Sequence, residues 1–246
     1  MDSYSSPTNS PENFAFLTPR LILLPTPTAI SQPSYRSLYS ELHSDPAFCE
    51  MAFGDHFPPR TWDDEETRAV IETRDIECSW KKRGLGDFAV GLRESPGLNK
   101  FGDDYCAQME DSGVVVVTGD EFASLAGPNN ERLADLRWVG YAGVRDATTT
   151  SIPSNAAYNA VFPPWREMVE LRYGISPHFW GKGIAAEASK AVMQWAVGER
   201  GVKRFIAETE RHNIRSERLL EKLGFASSGT NYWEEASEVE WEFVVE

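Results

Sequence analysis

The chain has 246 residues and a formal net charge of -14. It is long enough for one full hydrophobic core, and one elaborated domain is the default expectation. Its composition, 41% hydrophobic and 25% charged, is that of a soluble globular protein. No run approaches the ~20 apolar residues of a membrane span. The acid excess argues against nucleic acid, whose phosphates call for Lys and Arg. It serves solubility first and is also compatible with a cationic acceptor.

Met1–Asn13 is rich in Ser, Pro and Asn and reads as a disordered tail without signal-peptide character. Leu21–Leu24, between prolines, reads as a first strand. Thr28–Ser44 has Tyr35, Leu38, Tyr39 and Leu42 at helical spacing, and Asp45-Pro46 closes it. Phe48–Arg60 reads as a loop. Thr61, with Asp64 three residues on, is the expected cap of a long helix that Gly84 ends. Asp87–Arg93 is a second strand. Residues 94–135 form an acidic insertion, read as a solvated elaboration, with an extra strand over Val114–Val117. Arg137–Val144 is the next strand, where Gly140 and Gly143 mark a bulge or a close approach. Residues 147–167 form a second insertion, a loop placed to cover whatever follows. Cys49, Cys78 and Cys106 are odd in number, lack metal spacing and read as free thiols in a reducing compartment.

The organising stretch is Val169–Gly198. Val169–Ser176 alternates as a strand, and Ile184, Ala188, Ala191, Val192 and Trp195 recur as one helix face. Between them lies a turn ending in Gly181-Lys182-Gly183. A strand, a glycine turn and a helix N-terminus together can hold phosphate, because the first helical N–H groups have no intrahelical partner. Equally, the glycines can serve only a tight turn. A Walker A loop is excluded, since Gly183 follows Lys182 where Ser or Thr is needed. A dinucleotide fold would need more βαβ units than Lys182–Glu246 supplies. Farther on, Lys203–Glu208 is a strand, Ser216–Leu223 a helix capped by Gly224, and Thr230–Glu246 ends in an alternating strand.

His178-Phe179-Trp180-Gly181-Lys182-Gly183-Ile184-Ala185, with Glu187-Ala188, resembles the acetyl-CoA pyrophosphate loop of the GNAT N-acetyltransferases, above all the ribosomal-protein alanine acetyltransferase branch. Asn213–Phe225, ending Leu-Gly-Phe, resembles that family's later coenzyme-side helix. Leu17-Thr18-Pro19-Arg20-Leu21 resembles its opening strand. The chain departs in two places. His178 stands where the family often has Gln or Arg, and Leu220 where many members place a tyrosine.

The resemblance implies an α+β sandwich over residues 14–246. Its mixed, mostly antiparallel sheet would splay between the fourth and fifth strands. It implies acetyl transfer from acetyl-CoA, as co-substrate, to a primary amine of a protein N-terminus or a small molecule, by direct attack and without a metal. The coenzyme would be held by Tyr173, Gly174, Ile175, His178, Phe179, Trp180, Gly181, Lys182, Gly183, Ile184, Ala185, Asn213 and Ser216. Lys182 would contact phosphate or point to solvent, and Asn213 would contact the coenzyme arm or cap its helix. Glu170 is the candidate base, with pairing to Arg172 or Arg145 as the structural alternative. Ser216, Tyr232 or water would return the proton. A cytoplasmic monomer or homodimer is expected, with no nucleic-acid or membrane partner. The rival function is a non-catalytic coenzyme-binding domain on the same fold.

Overall fold

The computed structural model describes residues 13–54, 57–93, 113–153 and 162–246. In chain order these form β1 (Phe14–Leu17), β2 (Leu21–Pro25), α1 (Thr26–Ala29), α2 (Pro33–Ser44), α3 (Pro46–Phe53) and α4 (Asp64–Ile71). α4 runs on through a π-helical stretch, Glu72–Trp80, to Lys81–Arg83. Then come β3 (Asp87–Leu92), β4 (Val115–Thr118), α5 (Gly119–Ala126), β5 (Trp138–Asp146) and α6 (Ala147–Thr150). The last part holds β6 (Val169–Ile175), α7 (Ile184–Arg200), β7 (Arg204–Glu210), α8 (Ile214–Leu223), β8 (Ala226–Ser227) and β9 (Glu238–Val244).

Among the described residues, nine strands form one sheet in the order β4-β1-β2-β3-β5-β6-β7-β9-β8. Every pairing is antiparallel except β6 with β7. This is the expected mixed α+β sheet. Strand alternation splits the core in two. Phe14, Phe16, Leu21 and Leu23 face α7, whereas Ala15, Leu17, Ile22 and Leu24 face α2 and its neighbours.

Several expectations need correcting. Leu21–Pro25 is the second strand, because Phe14–Leu17, fully buried, pairs ahead of it. The splayed strands are therefore the sixth and seventh in the chain. The first helical segment breaks after Ala29 and restarts at Pro33, where proline suits the opening turn. Phe48–Arg60 is not all loop: Asp45 accepts from the Phe48 N–H at 2.9 Å and starts α3. The long helix is capped by Asp63 rather than Thr61, through a reciprocal box with Glu66.

The acidic insertion also contributes to the core. Residues 94–112 lie outside the described residues, but β4 pairs with β1, and Phe122, Leu125 and Leu133 are buried. Residues 1–12 and 154–161, and with them most of the expected tail and part of the second insertion, also lie outside. Gly140 and Gly143 fulfil both roles expected of them. The β3–β5 register shifts beside Gly140, and a Cβ at Gly143 would stand 2.6 Å from Asp87 Cα. Cys49 and Cys78 are free thiols.

Candidate active site

The turn between β6 and α7 is built from local bonds. Pro177–Phe179 makes one 3-10 turn, in which Phe179 N–H donates to Ser176 at 2.8 Å. The Trp180 indole N–H donates to the Ile175 carbonyl at 2.6 Å. Gly181 and Gly183 then adopt φ of +75° and +76°, a region costly for any residue with a Cβ. No atom lies within 4 Å of where a Gly181 Cβ would stand, so backbone conformation and open space, not packing, call for glycine there. Gly183 caps α7 without any side-chain bond, so no cap side chain screens the first-turn amides. Ile184, Ala185 and Ala186 border the adjoining cleft.

The opening strands secure this turn from its other side. Arg20 Nη1 donates to the Lys182 carbonyl at 2.7 Å and Nε to Glu187 at 2.6 Å. Thr18 Oγ1 donates to the same carboxylate at 2.5 Å.

β6 pairs with β7 only at Val169–Phe205 and Glu170–Ile206. Beyond Glu170 the strands diverge and leave an open β6 edge. Ser176 N–H donates to Val139 on the β5 side. By strand alternation the Tyr173 and Ile175 N–H groups point the other way, into the gap. The gap continues into a cleft of about 750 Å³.

Tyr173, Gly174, Ile175, Phe179, Trp180, Gly181, Gly183, Ile184, Ala185, Asn213 and Ser216 all line that cleft. His178 and Lys182 do not. The Lys182 ammonium donates to the His178 carbonyl at 3.1 Å and lies over the Phe179 ring, beside a neighbouring groove. Asn213 caps α8 by accepting from Ser216 N–H at 3.0 Å, and its amide donates to the Met51 carbonyl at 2.6 Å, tying α8 to α3. Tyr173 and Ser216 both line the cleft, and burial pushes the Tyr173 phenol up to about 12. Tyr232 lies away from this cleft. It accepts from Arg204, at the start of β7, at 3.1 Å and packs on Phe162. Leu220 is fully buried.

Sequence reasoning passed over three cations. Arg215, Arg218 and Lys222 line the cleft from α8, and Arg215 sits 4.8 Å over the Trp180 ring. Their i, i+3, i+7 spacing on one helix face was a legible signal in so acidic a chain.

On the other face of β6, Glu170 is 2% exposed. Arg145 donates to both its oxygens at 2.9 and 3.0 Å, and the Ser151 hydroxyl donates as well. Burial pushes this carboxyl up, but Arg145 and Arg172 outweigh burial and hold it below the usual range. Glu208, on β7 at the gap, is the opposite case. Burial, then the charges of Glu170 and Glu238, raise it well above the usual carboxylate range. Among the described residues its carboxyl makes no hydrogen bond or ion pair. α2 and α3 set an aromatic cluster of Tyr39, His43, Phe48 and Phe53 against Tyr141 of β5.

Residues 131–226 match the family model described as acetyltransferase (GNAT) domain. That stretch is similar to a GNAT acetyltransferase domain. The GNAT fold extends over nearly the whole chain. An acetyltransferase from Agrobacterium tumefaciens aligns over 99% of this chain and 100% of its own, with TM-score 0.55 and 17% identity. The ribosomal L7/L12 alpha-N-protein acetyltransferase RimL, solved with coenzyme A, aligns over 92% of this chain and 94% of its own, with TM-score 0.52 and 13% identity. In sequence, an uncharacterized N-acetyltransferase of Bacillus subtilis, YjdG, is 33% identical over 63 residues, 26% of this chain and 38% of that protein. The GNAT alignment thus spans little more than a third of the curated relatives' length. The family-model match is centred on the turn between β6 and α7. No helix among the described residues is long and apolar enough to cross a membrane.

Proposed function

We propose that the protein transfers an acetyl group from acetyl-CoA to a primary amine, of a protein N-terminus or a small molecule. One observation carries this reading. The α7 N-terminus, unscreened by any cap side chain, opens on the same cleft as the unpaired β6 edge, with Arg215, Arg218 and Lys222 opposite. Main-chain amides of Gly181–Ala186 and the α8 cations fit a diphosphate. The Tyr173 and Ile175 N–H groups fit a chain of amides lying along the strand as an added neighbour. The Ile175 carbonyl is not available to it, since Trp180 already bonds there.

The bound thioester supplies an activated acetyl carbon. The β6 amides polarise its carbonyl oxygen. Glu208 accepts the proton from the attacking amine, directly or through water, as the N–C bond forms and the C–S bond breaks. A half-buried carboxyl raised towards working pH is suited to that task. Glu170, with both oxygens bound by Arg145, serves better as an anchor for the residues after β5. Tyr173 or Ser216, both on the cleft wall, returns a proton to the leaving sulfur. The free thiols of Cys49 and Cys78 suit a reducing, cytoplasmic setting.

The test is thiol release from acetyl-CoA across a panel of amines, with calorimetry for coenzyme binding. Release dependent on an amine, lost in Glu208→Gln with coenzyme binding intact, is expected. Binding without release for every amine would favour a non-catalytic coenzyme-binding domain.

A further inference from the structure

Continued past the last β6–β7 pair, strand alternation puts Arg172 and Glu208 on the same sheet face, on opposite sides of the gap. β6 and β7 run parallel, Glu170 pairs with Ile206, and the next residues on that face are Arg172 and Glu208. A cation and an acid so placed ordinarily attract across strands. Here the guanidinium lies the other way. Its Nε stands 3.6 Å from Asp87 Oδ1, its Cζ 5.2 Å over the Tyr141 ring, and Nη2 3.5 Å from the Tyr141 hydroxyl. The route from β6 to β3 crosses β5 at Gly143, which pairs with Arg172 on one side and Asp87 on the other. A Cβ at Gly143 would collide with Asp87 Oδ1, so only glycine leaves room for this carboxylate. Asp87 is 3% exposed, and its main-chain N–H donates to Asp75 at 2.9 Å.

We infer that Asp87 and Arg172 are positioning residues for Glu208: Asp87 draws the guanidinium over Gly143 and off Glu208, and so leaves Glu208 fit to take the proton of the attacking amine. This rests on the proposed role of Glu208.

Glu208 meets charges from each packed element: Glu170, Arg172 and the Tyr173 phenol on β6, Arg145 on β5, and Glu238 on β9. Arg172 meets Asp87 on β3, Tyr141 on β5, Tyr39 and His43 on α2, Asp75 in the π-helical stretch, and Glu170. Burial, Glu170 and Glu238 favour the neutral Glu208 carboxyl, and the two arginines oppose them. Arg145 is bound to Glu170, so the seat of Arg172 is the remaining control.

The test titrates the full chain, labelled with 13C at Glu side-chain carboxyls, by NMR. The Glu208 signal is assigned by its loss in Glu208→Gln. The wild-type midpoint should lie above the ordinary carboxylate range. Asp87→Asn should lower it by about one pH unit, and Arg172→Met, which keeps an apolar stem, should raise it. The acidic limb of kcat/KM for amine acetylation should follow both. An unmoved midpoint in Asp87→Asn overturns the inference. Should that variant not melt cooperatively, an unmoved midpoint in Arg172→Met does so instead. If Glu208→Gln keeps the wild-type rate and acidic limb, the proton role itself fails. If Glu208→Gln loses the rate while Asp87→Asn leaves the midpoint in place, the inference alone fails.

Discussion

The Trp180 indole hydrogen-bonds the Ile175 main chain across the same turn that holds Gly181 and Gly183, so one side chain closes the loop against the end of β6. Trp180→Phe keeps a ring beneath Arg215 and deletes this bond. A hydrogen bond of this kind is worth about 0.5–1.5 kcal/mol. The melting temperature should therefore fall by about 1–6 °C, and calorimetry should find coenzyme A bound more weakly.

Gly181→Glu should bear on binding rather than folding. Its Cβ meets no atom within 4 Å, so the structural cost is the positive φ alone, about 1–2 kcal/mol. The added carboxylate stands among amides that would face a diphosphate. Coenzyme affinity should fall well over tenfold while the chain still melts cooperatively.

The α8 cations should act as a group. Charge-assisted contacts are worth about 1.5–3 kcal/mol each. Arg218→Ala with Lys222→Ala should therefore weaken coenzyme binding about 100-fold or more. It should also flatten the dependence of that affinity on salt, which a purely steric role would leave unchanged.

His43 should make the fold acid-sensitive. Burial lowers its imidazole to about 4, against about 6.5 in an unfolded chain. As pH falls from 6.5 towards 4, the unfolded chain takes up a proton that the folded one refuses, so stability falls. The loss is about 3 kcal/mol over that window. Denaturant unfolding of His43→Phe, which keeps a ring stacked on Tyr39, should show a flatter pH profile there.

Arg145→Met would leave the Glu170 carboxylate buried and unpaired. Breaking one side of a buried ion pair costs about 3–5 kcal/mol. Denaturant midpoints should drop accordingly, and Glu170→Gln in the same chain should recover much of the loss.

Elements with a local signature were readable from the residues. The β6 alternation, the glycine turn and the α7 stripe each lie within one window, and the structure places them as read. Misreadings arose where two local patterns competed. Thr61 with Asp64 and Asp63 with Glu66 both fit a capping box, and only the reciprocal bonds of the second pair decide. Asp45 ends one helix and begins another, a double use that a boundary rule does not contain. Phe14–Leu17 is too short to declare itself before β2 and β4 flank it. The state of Glu208 was unreadable because its cause is tertiary. Glu170, Glu238 and both arginines meet it from other strands.

The grip of Thr18 and Arg20 on Glu187 and the Lys182 carbonyl has an entropic consequence. The phosphate-facing loop is tied down by a hairpin more than 160 residues earlier in the chain, before any ligand arrives. Little freedom is left for a ligand to freeze, so most of its contact energy can appear as affinity. Loosening the hairpin, as in Arg20→Ala, would tax every ligand of that loop alike, however well its own groups fit.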